Sequence, residues 1–153
     1  MASQAIAGVS VVPRRRIPDE RGTVYHMLKA TDPEFVRFGE IYFSTVYAGV
    51  IKAWHLHRAM TLNYACIFGT IKLVLFDDRS DSSTRGHLME LFLGPDNYSL
   101  VVIPPGVWNG FKGMANPYAI VANCADLPHD PAEIVRLDPS SDRVPYRWDL
   151  RHG

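Results

Sequence analysis

Along the chain, apolar residues gather in short runs rich in Val, Ile, Leu, Phe and Tyr, each closed off by Gly, Pro, Asp, Asn or Ser. Few stretches show the 3.6-residue repeat of an amphipathic helix. Most are too short for one and carry the β-branched and aromatic residues of strands. The pattern predicts strands over 23–30, 40–47, 49–56, 63–68, 71–77, 87–93, 98–103, 118–123 and 133–138. Gly69-Thr70 separates two of these runs by almost nothing and reads as a hairpin corner. Asp77 to Ser83 reads as a polar loop, and Gly94-Pro95-Asp96-Asn97 as a turn. One helical turn is predicted, Asp32-Pro33-Glu34-Phe35, with Asp32 as N-cap and Pro33 at the first helical position. So many short strands in 153 residues, without an internal repeat or low-complexity linker, predict a single all-β domain over 1–153. The architecture expected is a β-sandwich of antiparallel strands, jelly-roll in type, with very little helix.

Composition and charge narrow the partners. A hydrophobic fraction of 47% and a charged fraction of 21% are ordinary for a globular chain and supply a core. Sixteen Lys and Arg balance sixteen Asp and Glu. This removes the broad positive field that nucleic-acid binding needs, while leaving room for a local basic pocket. No apolar run approaches the roughly 18 residues of a membrane span. Residues 1–16 lack the order of charge, apolar core and cleavage site of a secretory leader. Two cysteines, Cys66 and Cys124, make neither a disulfide framework nor a zinc motif. These features predict a cytoplasmic protein with no nucleic-acid or membrane partner.

The chemically informative stretch is Gly49-Val-Ile-Lys-Ala-Trp-His55-Leu-His57, with Gly69 twelve residues on. Together with Ile103-Pro104-Pro105-Gly106-Val107-Trp108-Asn109 it has the spacing of the two cupin motifs. His55 and His57 lie two apart on a strand and so share a face, which suits metal ligands. The third ligand is missing: Leu62 stands where the first motif places a glutamate, and Asn109 where the second places a histidine. The donor set therefore favours a cavity that works without a metal. The competing readings are an ion on His55 and His57, or two histidines that are simply satisfied polar groups in a core. An imidazole with an ordinary pKa near 6.5 can take a proton from a carbon beside a carbonyl when a carboxylate fixes its tautomer. Asp126, Asp130, Glu133 and Asp138 are the downstream carboxylates, and spacing does not choose among them.

In these residues and their order, the chain resembles the dTDP-4-dehydrorhamnose 3,5-epimerases and related sugar-nucleotide epimerases. The resemblance runs through Asp19-Glu20-Arg21-Gly22, the Gly49 to His55 segment, Asp77-Asp78-Arg79 with Ser83-Thr84-Arg85-Gly86, Ile103 to Phe111, and Glu133 to Pro139 followed by Trp148. It implies a jelly-roll cupin, a homodimer, no metal or organic cofactor, and a nucleotide-diphospho-4-keto-6-deoxy sugar as substrate. The implied reaction is removal of a proton alpha to the C4 ketone and its return from the opposite face, inverting C3, C5 or both. By the same resemblance His55 is the base, Asp138 the carboxylate that orients it, and Arg21 and Lys52 the cations near the diphosphate. Lys52 replaces an arginine, which keeps the charge but loses the bidentate fork.

Three family positions differ. The catalytic tyrosine aligns near Ala122, the lysine that steadies the enolate near Leu62, and the second histidine with Asn109. Tyr64, Tyr118, Asn109, Asn123 and His129 are the replacements to consider, and Tyr64 is favoured because it shares a strand face with Leu62. His57, Asn109 and Asn123 join Arg21 and Lys52 as candidate substrate-binding residues. Trp54 and Trp108 flank site positions, either to stack on a base or as core aromatics. Two alternatives stay open: a sugar-nucleotide-binding cupin without epimerase catalysis, and a 3,4-ketoisomerase using the same enolisation.

Overall fold

The structure, a computed structural model, describes residues 3–152. Met1, Ala2 and Gly153, the ends of the domain expected over 1–153, lie outside the described residues. Among the described residues twelve strands are formed: β1 Ser10–Pro13, β2 Arg16–Asp19, β3 Gly22–Tyr25, β4 Glu40–Tyr47, β5 Ile51–His57, β6 Leu62–Phe68, β7 Ile71–Asp77, β8 Leu88–Leu93, β9 Ser99–Ile103, β10 Val107–Gly113, β11 Tyr118–Ala125 and β12 Ile134–Arg136. The β1-β9-β6-β11-β4 sheet faces the β12-β5-β10-β7-β8 sheet, and β2-β3 form a separate two-stranded ribbon. All strand pairings are antiparallel. The expected jelly-roll cupin sandwich is what the chain forms.

Alternation along the strands builds two cores. Leu62, Tyr64 and Cys66 on β6 meet Ile71, Leu73 and Leu75 on β7 between the sheets, together with Val101, Val107 and Val121. The other face of β5, β7 and β10 is closed by the C-terminal segment. There Val144, Tyr146 and Trp148 cover Trp54, Val74, Phe76 and Trp108. The indole rings of Trp54 and Trp148 lie 5.1 Å apart, and the Lys72 ammonium sits 5.3 Å from the Tyr146 ring centre. Trp54 and Trp108 are thus buried in the outer core; of the two readings left open for them, the structure takes the packing one.

Three local expectations change. Residues 32–35 form a turn rather than a helical turn: the Asp32 carboxylate accepts the Lys29 backbone N–H at 2.8 Å. The same Asp-Pro signature recurs at Asp130-Pro131, where it does cap a short 3-10 helix, Pro131–Glu133. Gly69-Thr70 is not a hairpin corner, because β6 and β7 belong to different sheets. Gly69 turns the chain across with φ +71°, and a Cβ there would lie 2.7 Å from the Tyr118 carbonyl oxygen, so the corner accepts only glycine. The strand expected over 23–30 stops at Tyr25.

Candidate active site

The cavity lies between the two sheets and has a volume of about 410 Å³. Its walls are built by strand alternation, with Glu40, Tyr42 and Ser44 from β4, Tyr64 from β6, and Val121 and Asn123 from β11 on one side. On the other stand Lys52, His55 and His57 from β5 and Ile134 and Arg136 from β12, with His129 from the preceding loop.

A bulge in β5 decides which side chains arrive. Strict alternation would put Lys52 on the face opposite His55 and His57. Instead, β10 residues Asn109 and Phe111 pair with His55 and Lys52, so three steps on β5 match two on β10. The extra residue leaves Ala53 and Trp54 both against the outer core and returns Lys52 to the cavity beside the histidines. Gly110 permits the crossing, since a Cβ there would lie 2.4 Å from that of Ala53.

His57 is the histidine that has a carboxylate. Its Nδ1 is hydrogen-bonded to Glu133 Oε1, while Glu133 Oε2 accepts the backbone N–H groups of Ala59 (3.1 Å) and Met60 (3.3 Å). Burial pushes the Glu133 carboxyl up, but the bonds from His57, Ala59 and Met60 outweigh it and leave it below the ordinary glutamate value. His55 has different company. Its register partner on β12 is Arg136, and Lys52 precedes it on the same face. Burial, and then the charges of Arg136, His57 and Lys52, lower the His55 pKa to about 4. Among the described residues no three His, Cys, Asp or Glu side chains gather where an ion could sit.

The remaining expected residues separate into those the cavity brings together and those it does not. Lys52 lines it, with Nζ donating to Ser44 Oγ (2.9 Å) and the Thr45 carbonyl (2.6 Å) and with no carboxylate partner among the described residues. Tyr64 faces the histidines from the opposite wall. Its hydroxyl donates to Asn109 Oδ1 at 3.5 Å, and burial holds the phenol far above its ordinary pKa. Asn109 is not a cavity-lining residue; it points between the sheets toward Tyr64 and braces β5, donating from Nδ2 to the His55 carbonyl oxygen at 3.1 Å. Asn123 accepts the Asn63 N–H at 3.0 Å and donates to the Tyr42 hydroxyl at 2.9 Å, so it both ties β6 to β11 and aims Tyr42.

Asp138 is not at His55: β12 pairs with β5 only as far as the Leu137–Trp54 backbone bonds. Beyond them the Asp138 carboxylate turns back to accept the Ser140 N–H (2.8 Å) and hydroxyl (2.5 Å) in an exposed turn. Arg21 stands at the tip of the β2-β3 ribbon, 85% exposed, and pairs with Asp19. It does not reach the cavity of its own chain. Ala122 shares neither the face of Val121 nor that of Asn123, so the family's tyrosine has no direct heir on β11. Glu40, Tyr42 and Arg136 are cavity residues that the sequence did not single out, and His129, one of the replacements considered there, lines the cavity too. Glu40 keeps one buried carboxylate oxygen without a partner. The β4 alternation Glu40-x-Tyr42-x-Ser44, polar on one side and Ile41-x-Phe43 on the other, was the available signal.

An antiparallel sandwich with a two-histidine cavity between its sheets has the architecture of a cupin-type site. The chain belongs to the dTDP-4-dehydrorhamnose 3,5-epimerase family, whose profile matches residues 3–152. It is accordingly an isomerase-class carbohydrate epimerase of the sugar-nucleotide type. It is 32% identical over 130 residues to a probable low-salt glycan biosynthesis epimerase of Haloferax volcanii, covering 84% of this chain and 80% of that one. It is 29% identical to a spore coat polysaccharide biosynthesis protein of Bacillus subtilis, over 94% of this chain and 91% of that one. Among solved structures, a dTDP sugar isomerase from Desulfovibrio desulfuricans superposes with a TM-score of 0.91 at 44% identity, covering 94% and 92% of the two chains. No described helix is long and apolar enough to cross a membrane.

Proposed function

We propose that the chain inverts C3, C5 or both of a nucleotide-diphospho-4-keto-6-deoxy sugar, by proton removal alpha to the ketone at the two-histidine cavity. The observation that carries this reading is the juxtaposition, in one cavity of about 410 Å³, of His55 and His57 on one wall and Tyr64 on the other. A ketone held between them would present its two faces to groups on facing sheets. Removal and return of the proton from opposite sides is what inversion requires. Lys52 and Arg136 supply positive charge for the diphosphate, and Tyr64 is the acid of the second face. The 4-keto sugar activates its own C–H bonds, so the chemistry calls for no cofactor.

A homodimer fits the outer face of the β1-β9-β6-β11-β4 sheet. Ile41, Phe43 and Tyr47 on its edge strand β4 are 50%, 61% and 67% exposed, and Phe68 lies beside them at 45%. A sheet apolar on both faces needs a cover, and a second copy in this position would also give the Arg21 ribbon a neighbouring cavity to serve. The protein is proposed to act in the cytoplasm, as one cupin domain, on a soluble nucleotide sugar.

Solvent deuterium should enter a dTDP-4-keto-6-deoxy sugar at C3 or C5 in the presence of the protein, followed by mass spectrometry and NMR. Tight binding of that compound with no exchange at either carbon would establish the non-catalytic alternative. Exchange at C3 with movement of the carbonyl to C3 would identify a ketoisomerase.

A further inference from the structure

The two cavity histidines differ in one respect that matters for proton transfer. We propose that His57, held by Glu133, is the proton-transfer histidine of this cavity, and that His55 serves as a hydrogen-bond donor to the enolate oxygen. The assignment rests on the epimerase reading above and reverses the roles that alignment with the family suggests.

Glu133 sits on the last residue of the 3-10 turn that Asp130 and Pro131 begin, and its three contacts leave it no freedom to swing toward His55. With the carboxylate on Nδ1, the His57 tautomer is fixed as Nδ1–H, and the lone pair of Nε2 is left for a substrate proton. When that proton arrives, the imidazolium lies against a carboxylate that is already ionised. Among the described residues His55 has no such partner. The charged groups around it are Lys52 on its own strand, Arg136 on β12 and His57, against Glu40 across the cavity. A positively surrounded, half-buried imidazole resists a second proton and is a poor base, but it keeps one N–H to give. That N–H takes over from the family's lysine, whose position is filled by Leu62 in the core.

The step balances as follows. The C–H bond alpha to the ketone breaks, its electron pair forms the C=C bond, and the carbonyl π pair moves to oxygen. The proton goes to His57 Nε2. The enolate oxygen accepts a hydrogen bond from His55. The enolate C=C pair then takes the Tyr64 hydroxyl proton on the opposite face, and the oxygen pair re-forms the C=O bond. The phenolate left on Tyr64 takes a proton from solvent while His57 releases its proton to solvent.

The test uses the conservative pair of glutamine variants, because a glutamine amide can donate a hydrogen bond but cannot act as a base. His55→Ala should slow deuterium incorporation about 10²–10³-fold, as loss of an oxyanion donor does, and His55→Gln should recover most of that loss. His57→Gln should remain down by about 10²–10⁴-fold. Glu133→Gln should lower kcat with KM within about twofold, since it removes the charge without emptying the site. Recovery by His57→Gln and not by His55→Gln would overturn the proposal. If the wild-type protein shows no exchange, the epimerase reading fails, and nitrogen-15 NMR of the histidines still decides this one. Expected are an Nδ1–H tautomer for His57 that Glu133→Gln disturbs, and a His55 that stays neutral down to about pH 5. A His55 that titrates near its ordinary value, or a His57 untouched by Glu133→Gln, would refute it.

Discussion

Asp77, at the end of β7, is the most demanding polar group in the sandwich. Its side chain is fully buried, yet it carries a charge. Oδ1 accepts from Arg79 N (3.1 Å) and Nε (2.9 Å), and Oδ2 from an Arg79 terminal nitrogen (2.9 Å), Ser82 Oγ (2.6 Å) and Thr84 Oγ1 (2.6 Å). Arg79 in turn donates to the Ala7 carbonyl at 2.6 Å, fastening the N-terminal segment to this loop. Removing one member of a buried pair costs about 3–5 kcal/mol, because the other is left without its partner. The Arg79 side chain is 23% exposed and recovers some hydration, so Asp77→Ala should cost about 3 kcal/mol, the lower end of that range. For a chain of this size that lowers Tm by about 6–12 °C. Thermal unfolding followed by circular dichroism at pH 7 reads it directly. The pH dependence gives an independent check. Burial pushes the Asp77 carboxyl up, but the bonds from Arg79, Ser82 and Thr84 outweigh it and hold it well below the usual carboxylate range. A depressed folded-state pKa stabilises above the unfolded value, near 3.9, and that stability is lost as pH falls through the folded one. The Tm gap between wild type and variant should therefore be level from about pH 8 to 5 and close below about pH 4. A gap under about 2 °C at pH 7, or one that widens in acid, would refute this account of the loop.

Other substitutions probe the cavity and its surroundings. Asn123→Leu leaves the buried Asn63 N–H without an acceptor and should cost about 2 kcal/mol; Asn123→Asp, which keeps the acceptor oxygen, should recover part of it in denaturant unfolding. Lys52→Met should weaken binding of a nucleoside diphosphate about tenfold, with a shallower salt dependence by calorimetry, because it removes a cation with no carboxylate partner of its own. Phe43→Lys puts a charge in the middle of the exposed β4 face, so if the proposed homodimer uses that face the variant should sediment as a monomer where the wild type sediments as a dimer. An unchanged sedimentation coefficient would refute a dimer through this face.

The architecture was legible because strands announce themselves by period. Nearly every run of alternating or β-branched residues became a strand, and the cupin spacing of Gly49, His55, His57 and Gly69 brought the two histidines to one cavity. Which sheet a strand joins was not legible. A two-residue link looks the same whether it closes a hairpin or crosses a sandwich, and Gly69 crosses. Capping signatures were equally ambiguous. Asp32-Pro33 and Asp130-Pro131 read alike, yet Asp32 spends its carboxylate on Lys29 and Arg14, whereas Asp130 caps Ala132 at 2.9 Å and starts a helical turn.

The site shows the same limit at higher stakes. Two histidines and four downstream carboxylates were visible in the chain, but a hydrogen bond depends on where a strand ends, and composition does not encode that. Because β12 runs antiparallel to β5 with Ile134 opposite His57, the residue just before the strand, Glu133, lies beside His57. Asp138 falls two residues past the strand's other end, beyond the last backbone pair, where a local turn to Ser140 claims its carboxylate. The bulge at Ala53-Trp54 is the second hidden variable: without the extra residue Lys52 would point into the outer core, and the cavity would lose one of the two cations beside His55. Register and bulge together therefore decide which histidine meets a carboxylate, Glu133, and which lies beside Lys52 and Arg136.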